Sequence, residues 1–434
     1  MQLLRCGLLN VKVVELAMVR FRPNLLNLSL ETSLFALLLA SAAPALAQDN
    51  SVSLTQVGSN SYAEIDQIGD SNTVSAFQHA SNNDLAVHQN GSSNSAVSTQ
   101  ILAGDSAADI EQTGDDNSAA VLQAGSQNSA EIDQYGDSND AAVYQLGASN
   151  SAHTSQYGDN NSALTFQHGD SNSADTTQWG DDNTASTQQV GSNNTADTFQ
   201  WGANNNSAIV QEGDGNTAFA VQALGSNNSA SIEQLGNDNE ATAAQYGSNH
   251  TAAISQNGGG HHAVAVQSGT ANDSSIAQTG SMNVANNYQS GNGNSAHSSQ
   301  AGIYNYAEIE QDGSSNSANT YQAGAANAAS VHQEGAGNYA SSFQAGVAQA
   351  VAIEQEGIAN AAITFQAGAG NAMGVHQAGL ANVAVGVQQG SANTMALDQG
   401  GAFNSLTATQ SGSGHQLGVG QYGIGGSLEI HQSN

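Results

Sequence analysis

Amides recur along this sequence at a spacing that would let them act on one another. Gln stands at 56, 67, 78, 89 and 100, at every eleventh residue from 112 to 222, and again at every eleventh from 234 to 432. Asn usually follows five residues later. A primary amide carries donors and an acceptor on one group, so identical amides set in a row bond each other, as in steric zippers. The chemistry expected of Gln67, Asn72, Gln89, Asn94, Gln112, Asn117, Gln123, Asn128, Gln134, Asn139, Gln145, Asn150, Gln156, Asn161, Gln167 and Asn172 is therefore self-complementary hydrogen bonding, with Gly136 and Gly147 at the accompanying turns.

Other reactive types are present without a matching pattern. The pairs Asp115-Asp116 and Asp181-Asp182 have calcium-ligand chemistry, but the nine-residue calcium β-roll motif is absent, so acids in turns are the expectation. His261-His262, His88, His332 and His376 are metal donors by type. They stand mostly at outward positions without clustered partners, and solvated imidazoles are expected. No G-x-S-x-G, Walker or dinucleotide-binding glycine motif occurs in a suitable context. The chain is expected to be non-enzymatic, with no cofactor and no metal.

The elements that position the amides follow from the period. The 35 copies contain two one-residue slips, near 101–105 and 223–225, and Gly follows Gln by two residues in all but those after Gln78, Gln100, Gln222 and Gln432. The unit reads N-x-A-x-(I/V/T)-x-Q-x-G-x-x. Eleven residues also make three turns of a right-handed helical coil, but Asn, Ser, Gly and Thr are poor helix formers. Alternation by two places Asn150, Ala152, Thr154, Gln156 and Gly158 on one face of a strand, and Gly and Asn supply the turn. The four-back and two-back positions before each Gln hold no charge, with Ala at 24 of the 35 four-back sites, whereas 14 acids occupy the three-back and one-back positions. An isolated buried charge is costly, so the first set faces inward. Aromatics such as Phe77, Tyr144, Phe166, Phe343 and Phe365 precede Gln in alternate repeats. They point to a 22-residue rung of two facing strands, although the alternation slips near 189–211 and 300–311. The expected fold is an all-β, amyloid-like β-solenoid over residues 52–434. About 17 rungs at roughly 4.8 Å each give roughly 80 Å.

Composition limits what such a fold can do. The net charge is −32, and Arg5, Lys12, Arg20, Arg22, Cys6, Pro23 and Pro44 all lie in the first 44 residues. Residues 1–47 read as an export signal, with an apolar run from Leu34 to Leu39, Ala45-Leu46-Ala47 at the cleavage site and Met18 as a plausible true start. A short segment, 48–51, then leads into the repeats. Beyond residue 47 the chain has 34 acids and no Lys, Arg, Cys or Pro. Such a polyanion is repelled by nucleic acid and by anionic membranes, and the mature chain is not expected to insert into a membrane. Proline, which cannot donate to a ladder, is absent where pairing must be continuous.

The repeat resembles the curlin repeat of curli major and minor subunits, S-x5-Q-x-G-x-x-N-x-A-x3-Q. It is seen from Ser129 through Gln134, Gly136 and Asn139 to Gln145, and the likeness extends over residues 51–432. The chain departs from familiar curlins in carrying many more repeats and no basic residue among them. The resemblance implies a subunit exported through an outer-membrane secretion pore, nucleated by a partner subunit at the cell surface, and assembled into adhesive biofilm amyloid. The first and last strands, starting at Val52 and ending at Gln432, lack the caps of soluble solenoids and the Lys and Pro that blunt edges, so a homopolymer is expected. Acids in turns, Asp70, Asp137, Asp159, Asp170, Asp181 and Asp182, would repel when stacked and act as gatekeepers, which makes polymerisation faster in acid or at raised ionic strength. A monomeric secreted solenoid that binds ice or carbohydrate would need a flat outward Thr array, and a surface adhesin an anchor; neither is read here. Outward aromatics after Gln, Tyr135, Tyr157, Trp179, Trp201 and Tyr246, would serve a surface, glycan or dye, or pack between protofilaments.

Overall fold

The strand-turn alternation is what the chain adopts. A computed structural model describes residues 49–434; the export-signal reading of 1–47, including Met18, lies outside the described residues. The chain is all-β there, with 35 strands of seven to ten residues, from Ser51–Val57 to Ser427–Ser433. They fall into two compact units divided after Asn204. Fourteen strands, ending at Thr195–Ala203, belong to the first and 21, beginning at Asn206–Glu212, to the second.

Within each unit, strands pair in parallel with the strand two along, so one turn of the solenoid holds two strands and about 22 residues. In the first unit Ser129–Tyr135 pairs with Ala107–Thr113 on one side and Ser151–Tyr157 on the other, which sets Gln134 level with Gln112 and Gln156. In the second, Ala328–Ala336 lies between Tyr306–Ser314 and Ala350–Ile358, with Gln333 level with Gln311 and Gln355. The 22-residue turn persists through 300–311, where the aromatic alternation slips, because backbone pairing does not depend on the outward side chains.

Inward positions close the core. Ala130, Ile132, Val143 and Ala152 are buried in one cluster of the first unit, and Ile309, Val331, Ile353 and Leu397 in one of the second. None of the 14 outward acids is buried. Five Thr, at 154, 165, 176, 187 and 198, share the core of the first unit. The hydroxyls of Thr154, Thr165 and Thr187 have no hydrogen-bond partner. Replacing such an orphan by a methyl removes a desolvation cost, so Thr165→Val should raise stability by about 1 kcal/mol, read from the urea midpoint; a loss of stability would show that the hydroxyl is satisfied.

Most turns bend in the same way. Gly136 has φ 122°, and an added Cβ would lie 2.2 Å from the Gly158 carbonyl oxygen of the next rung, which no side chain fits. Two residues on, the chain enters the left-handed region, at Ser138 (φ 59°), Asn160 (φ 57°) and even Tyr304 (φ 59°) and Phe403 (φ 56°). No Val, Ile or Thr takes this position among the described residues, as expected for side chains that tolerate positive φ least.

The slips are absorbed as one-residue bulges near the ends of the ten-residue strands Ser95–Gly104 and Thr217–Ser226. Leu102 and Leu224 are the extra residues, left-handed and 77% and 66% exposed. Pairing shifts by one between His79 and Ala80 and then continues.

Candidate functional site: the stacked amide columns

Parallel in-register pairing forces every Gln to lie over the Gln of the rung below. Gln134 Nε2 donates to Gln156 Oε1 at 2.9 Å and to the Ser118 carbonyl at 2.9 Å, while its own Oε1 accepts from Gln112 at 2.8 Å. Both amide hydrogens and the oxygen are therefore used. The same bond joins Gln67 to Gln89 and Gln89 to Gln112, each at 2.8 Å. A second column links Gln123, Gln145, Gln167 and Gln189 at 2.9 Å per step. The slips do not break it: Gln100 reaches Gln123 at 2.9 Å across 23 residues.

Asn forms the flanking columns differently. The Asn139 backbone N–H donates to Asn117 Oδ1 at 2.9 Å, and Asn139 Nδ2 donates to the Gly158 carbonyl at 2.7 Å. The side chain thus satisfies the turn that the glycine creates. Asn72, Asn94, Asn117, Asn139 and Asn161 make one such column at 2.9–3.0 Å per step. Asn128, Asn150 and Asn172 belong to the other, at 3.1 Å.

Three imidazoles occupy Asn positions, which corrects the solvated reading of His261. His250 and His261 are each 1% exposed. His250 Nδ1 accepts the Asn272 N–H at 3.2 Å and its Nε2 donates to the Tyr246 carbonyl at 3.2 Å. His261 repeats this with Asn283 at 3.2 Å and Asn257 at 3.3 Å. Burial holds both below the usual imidazole range. Their position, five residues after Gln245 and Gln256, was the signal; His415 sits likewise after Gln410. A buried Asn287 among the core positions was also missed, and Ser274 and Ser298 satisfy it at 3.1 and 2.7 Å.

The turn acids stack but are not merely repulsive. Asp137 Oδ1 accepts the Asp115 N–H at 2.8 Å, Asp159 that of Asp137 at 2.9 Å, and Asp181 that of Asp159 at 3.0 Å. Asp170 does the same for Ala148 at 3.0 Å. Asp182 lies at the left-handed position, and the Asp70 carbonyl accepts the Ser93 N–H.

The outer faces carry further ladders. Tyr321, Phe343 and Phe365 stack at 4.9 and 5.1 Å, and Tyr135 stacks on Tyr157 at 5.1 Å, with Trp179 and Trp201 following edge-on. His153 stands among acids, with Nδ1 at 3.3 Å from Asp175 and Nε2 at 3.8 Å from Asp133. The Asp133 and Asp175 carboxylates push its pKa up to about 10. Being raised, this interaction contributes stability in full below the unfolded value of about 6.5 and loses it as the pH rises through the folded one. Two-dimensional NMR at pH 8 should find the His153 ring protonated; a neutral ring there would refute the pairing.

These features define a class: a parallel β-solenoid whose interior edges are continuous amide columns. Ten overlapping segments from residue 47 to residue 267 match the Curlin associated repeat, and the chain belongs to that family. No curated protein matches it.

Proposed function

We propose that the chain is a secreted structural subunit that self-assembles into extracellular curli-type fibres for biofilm matrix, adhesion and surface colonisation. The observation that carries this reading is the sameness of the rungs: each presents Gln and Asn groups in the register that the next one needs. A rung from another copy meets the same donors and acceptors as a rung of the same chain.

The partners in this reading are the chain itself, a nucleator subunit and an outer-membrane secretion pore of the curli type. Fibre diffraction from purified chain starting at Gln48 tests it. A meridional reflection at about 4.8 Å with thioflavin binding is the expected result. A chain that stays monomeric after prolonged incubation at high concentration would refute it.

A further inference from the structure

On one face of the second unit, the residues just before Gln form a column over five consecutive turns: Glu310, His332, Glu354, His376 and Asp398. Acid and imidazole alternate. His332 Nδ1 lies 3.2 Å from Glu310 and His376 Nδ1 lies 2.9 Å from Asp398, so each imidazole leans on the carboxylate outside the pair and leaves Glu354 between them. Glu356 follows two residues later on the same strand and points to the same side. The donor atoms of Glu354, Glu356 and His376 all lie within 4.8 Å of one another.

We propose that Glu354, Glu356 and His376 bind a divalent transition metal ion, with zinc as the best fit. A carboxylate only accepts, so the bond to Asp398 fixes the hydrogen of neutral His376 on Nδ1 and leaves the Nε2 lone pair free. That is the carboxylate–histidine arrangement that orients imidazole ligands for metals. Two carboxylates and one imidazole suit zinc, with water in the fourth position; calcium asks for six to eight oxygens. Tetrahedral ligands at zinc distances stand about 3.4 Å apart, within reach of small rotations of two exposed Glu side chains. The residues two before the column, Ala352, Gly374 and Ala396, are small and open a groove of about 720 Å³ lined by His332, Glu354, His376 and Asp398, with Glu356 outside it.

The other mixed cluster, Glu131, Asp133 and His153, lacks this opening. His153 Nε2 already meets the Ser155 hydroxyl at 3.0 Å and Nδ1 meets Asp175, so both nitrogens are taken. At His376 only Nδ1 is bonded among the described residues. Asp398 accepts from Nδ1 of this ring at 2.9 Å, while Glu354 and Glu356 lie on its other side.

The proposal does not rest on fibre formation, and the test uses soluble full-length chain. Zinc is titrated by equilibrium dialysis near neutral pH with excess Mg²⁺ to occupy unspecific carboxylates. His376→Ala and Glu356→Gln should each weaken the tightest site at least tenfold. Asp398→Asn, which alters only positioning, should weaken it by about 10- to 100-fold and shift its pH profile, and His431→Ala should change nothing. Cobalt substitution should give a tetrahedral visible spectrum that vanishes in His376→Ala. Equal zinc binding by wild type and His376→Ala, or complete displacement of zinc by Mg²⁺, would overturn the assignment. The substituted side chains face outward, so circular dichroism should show an intact fold.

Discussion

Gln134→Ala should lower the stability of the first unit by about 4 kcal/mol, because a single deletion breaks hydrogen bonds in three places. Gln112 Nε2 loses one of its two acceptors, keeping the Ser95 carbonyl, while Gln156 Oε1 and the Ser118 carbonyl lose a donor. Each buried orphan costs about 1–3 kcal/mol, and the missing side chain leaves a void. Gln67, only partly buried near the edge of the described rungs, should cost less when changed to Ala. In a fold where each rung touches only its neighbours, the loss is local before it is global. Hydrogen exchange should therefore rise first along 107–113, 129–135 and 151–157, the strands sharing the broken column. A shift in the urea midpoint worth less than about 1 kcal/mol would mean that water or neighbouring amides heal the gap.

The second large effect is acid sensitivity at one rung. His250 and His261 interrupt both Asn columns in consecutive repeats, and each uses Nδ1 as an acceptor. Protonation at Nδ1 destroys that bond and places a charge where only backbone groups face it. Both pKa values are lowered by burial, so below about pH 6.5 the unfolded chain takes up protons that the folded chain refuses. Stability then falls with pH by up to about 1.4 kcal/mol per unit for each imidazole. Amides of Thr251–Gly259 and His262–Thr270 should exchange faster at pH 5.5 than at pH 7.5, beyond the intrinsic rates. His250→Asn with His261→Asn should remove that difference. An unchanged pH response in the double variant would place the sensitivity elsewhere.

Much of this was legible in the sequence because the constraint on each position is severe. Gln must pair with Gln, the glycine turn admits no Cβ, and charge cannot enter a thin core; those three rules mark strand, turn and inner face. Aromatic alternation was a weaker guide to the two-strand rung, since Tyr321, Phe343 and Phe365 only decorate a pairing that the backbone makes anyway. His261 was misjudged because it was weighed by residue type rather than by its distance from Gln256. The role of Asp137 and Asp159 as acceptors was not legible, because it depends on which N–H the turn aims at the next rung. The column of Glu354 and His376 needed the register itself, which joins residues 22 apart.

The bulges at Leu102 and Leu224, near the ends of their strands, show where this architecture is forgiving. Each takes an additional residue, turns it into solvent, and leaves Gln100–Gln123 and Gln222–Gln245 joined at 2.9 Å. Length changes at such bulges, past the column Gln, leave the amide pairing undisturbed, whereas one inserted before that Gln would swap the inner and outer sides of its strand. These two bulges are accordingly the natural grafting points for an epitope, an enzyme or a fluorophore to be displayed along the scaffold.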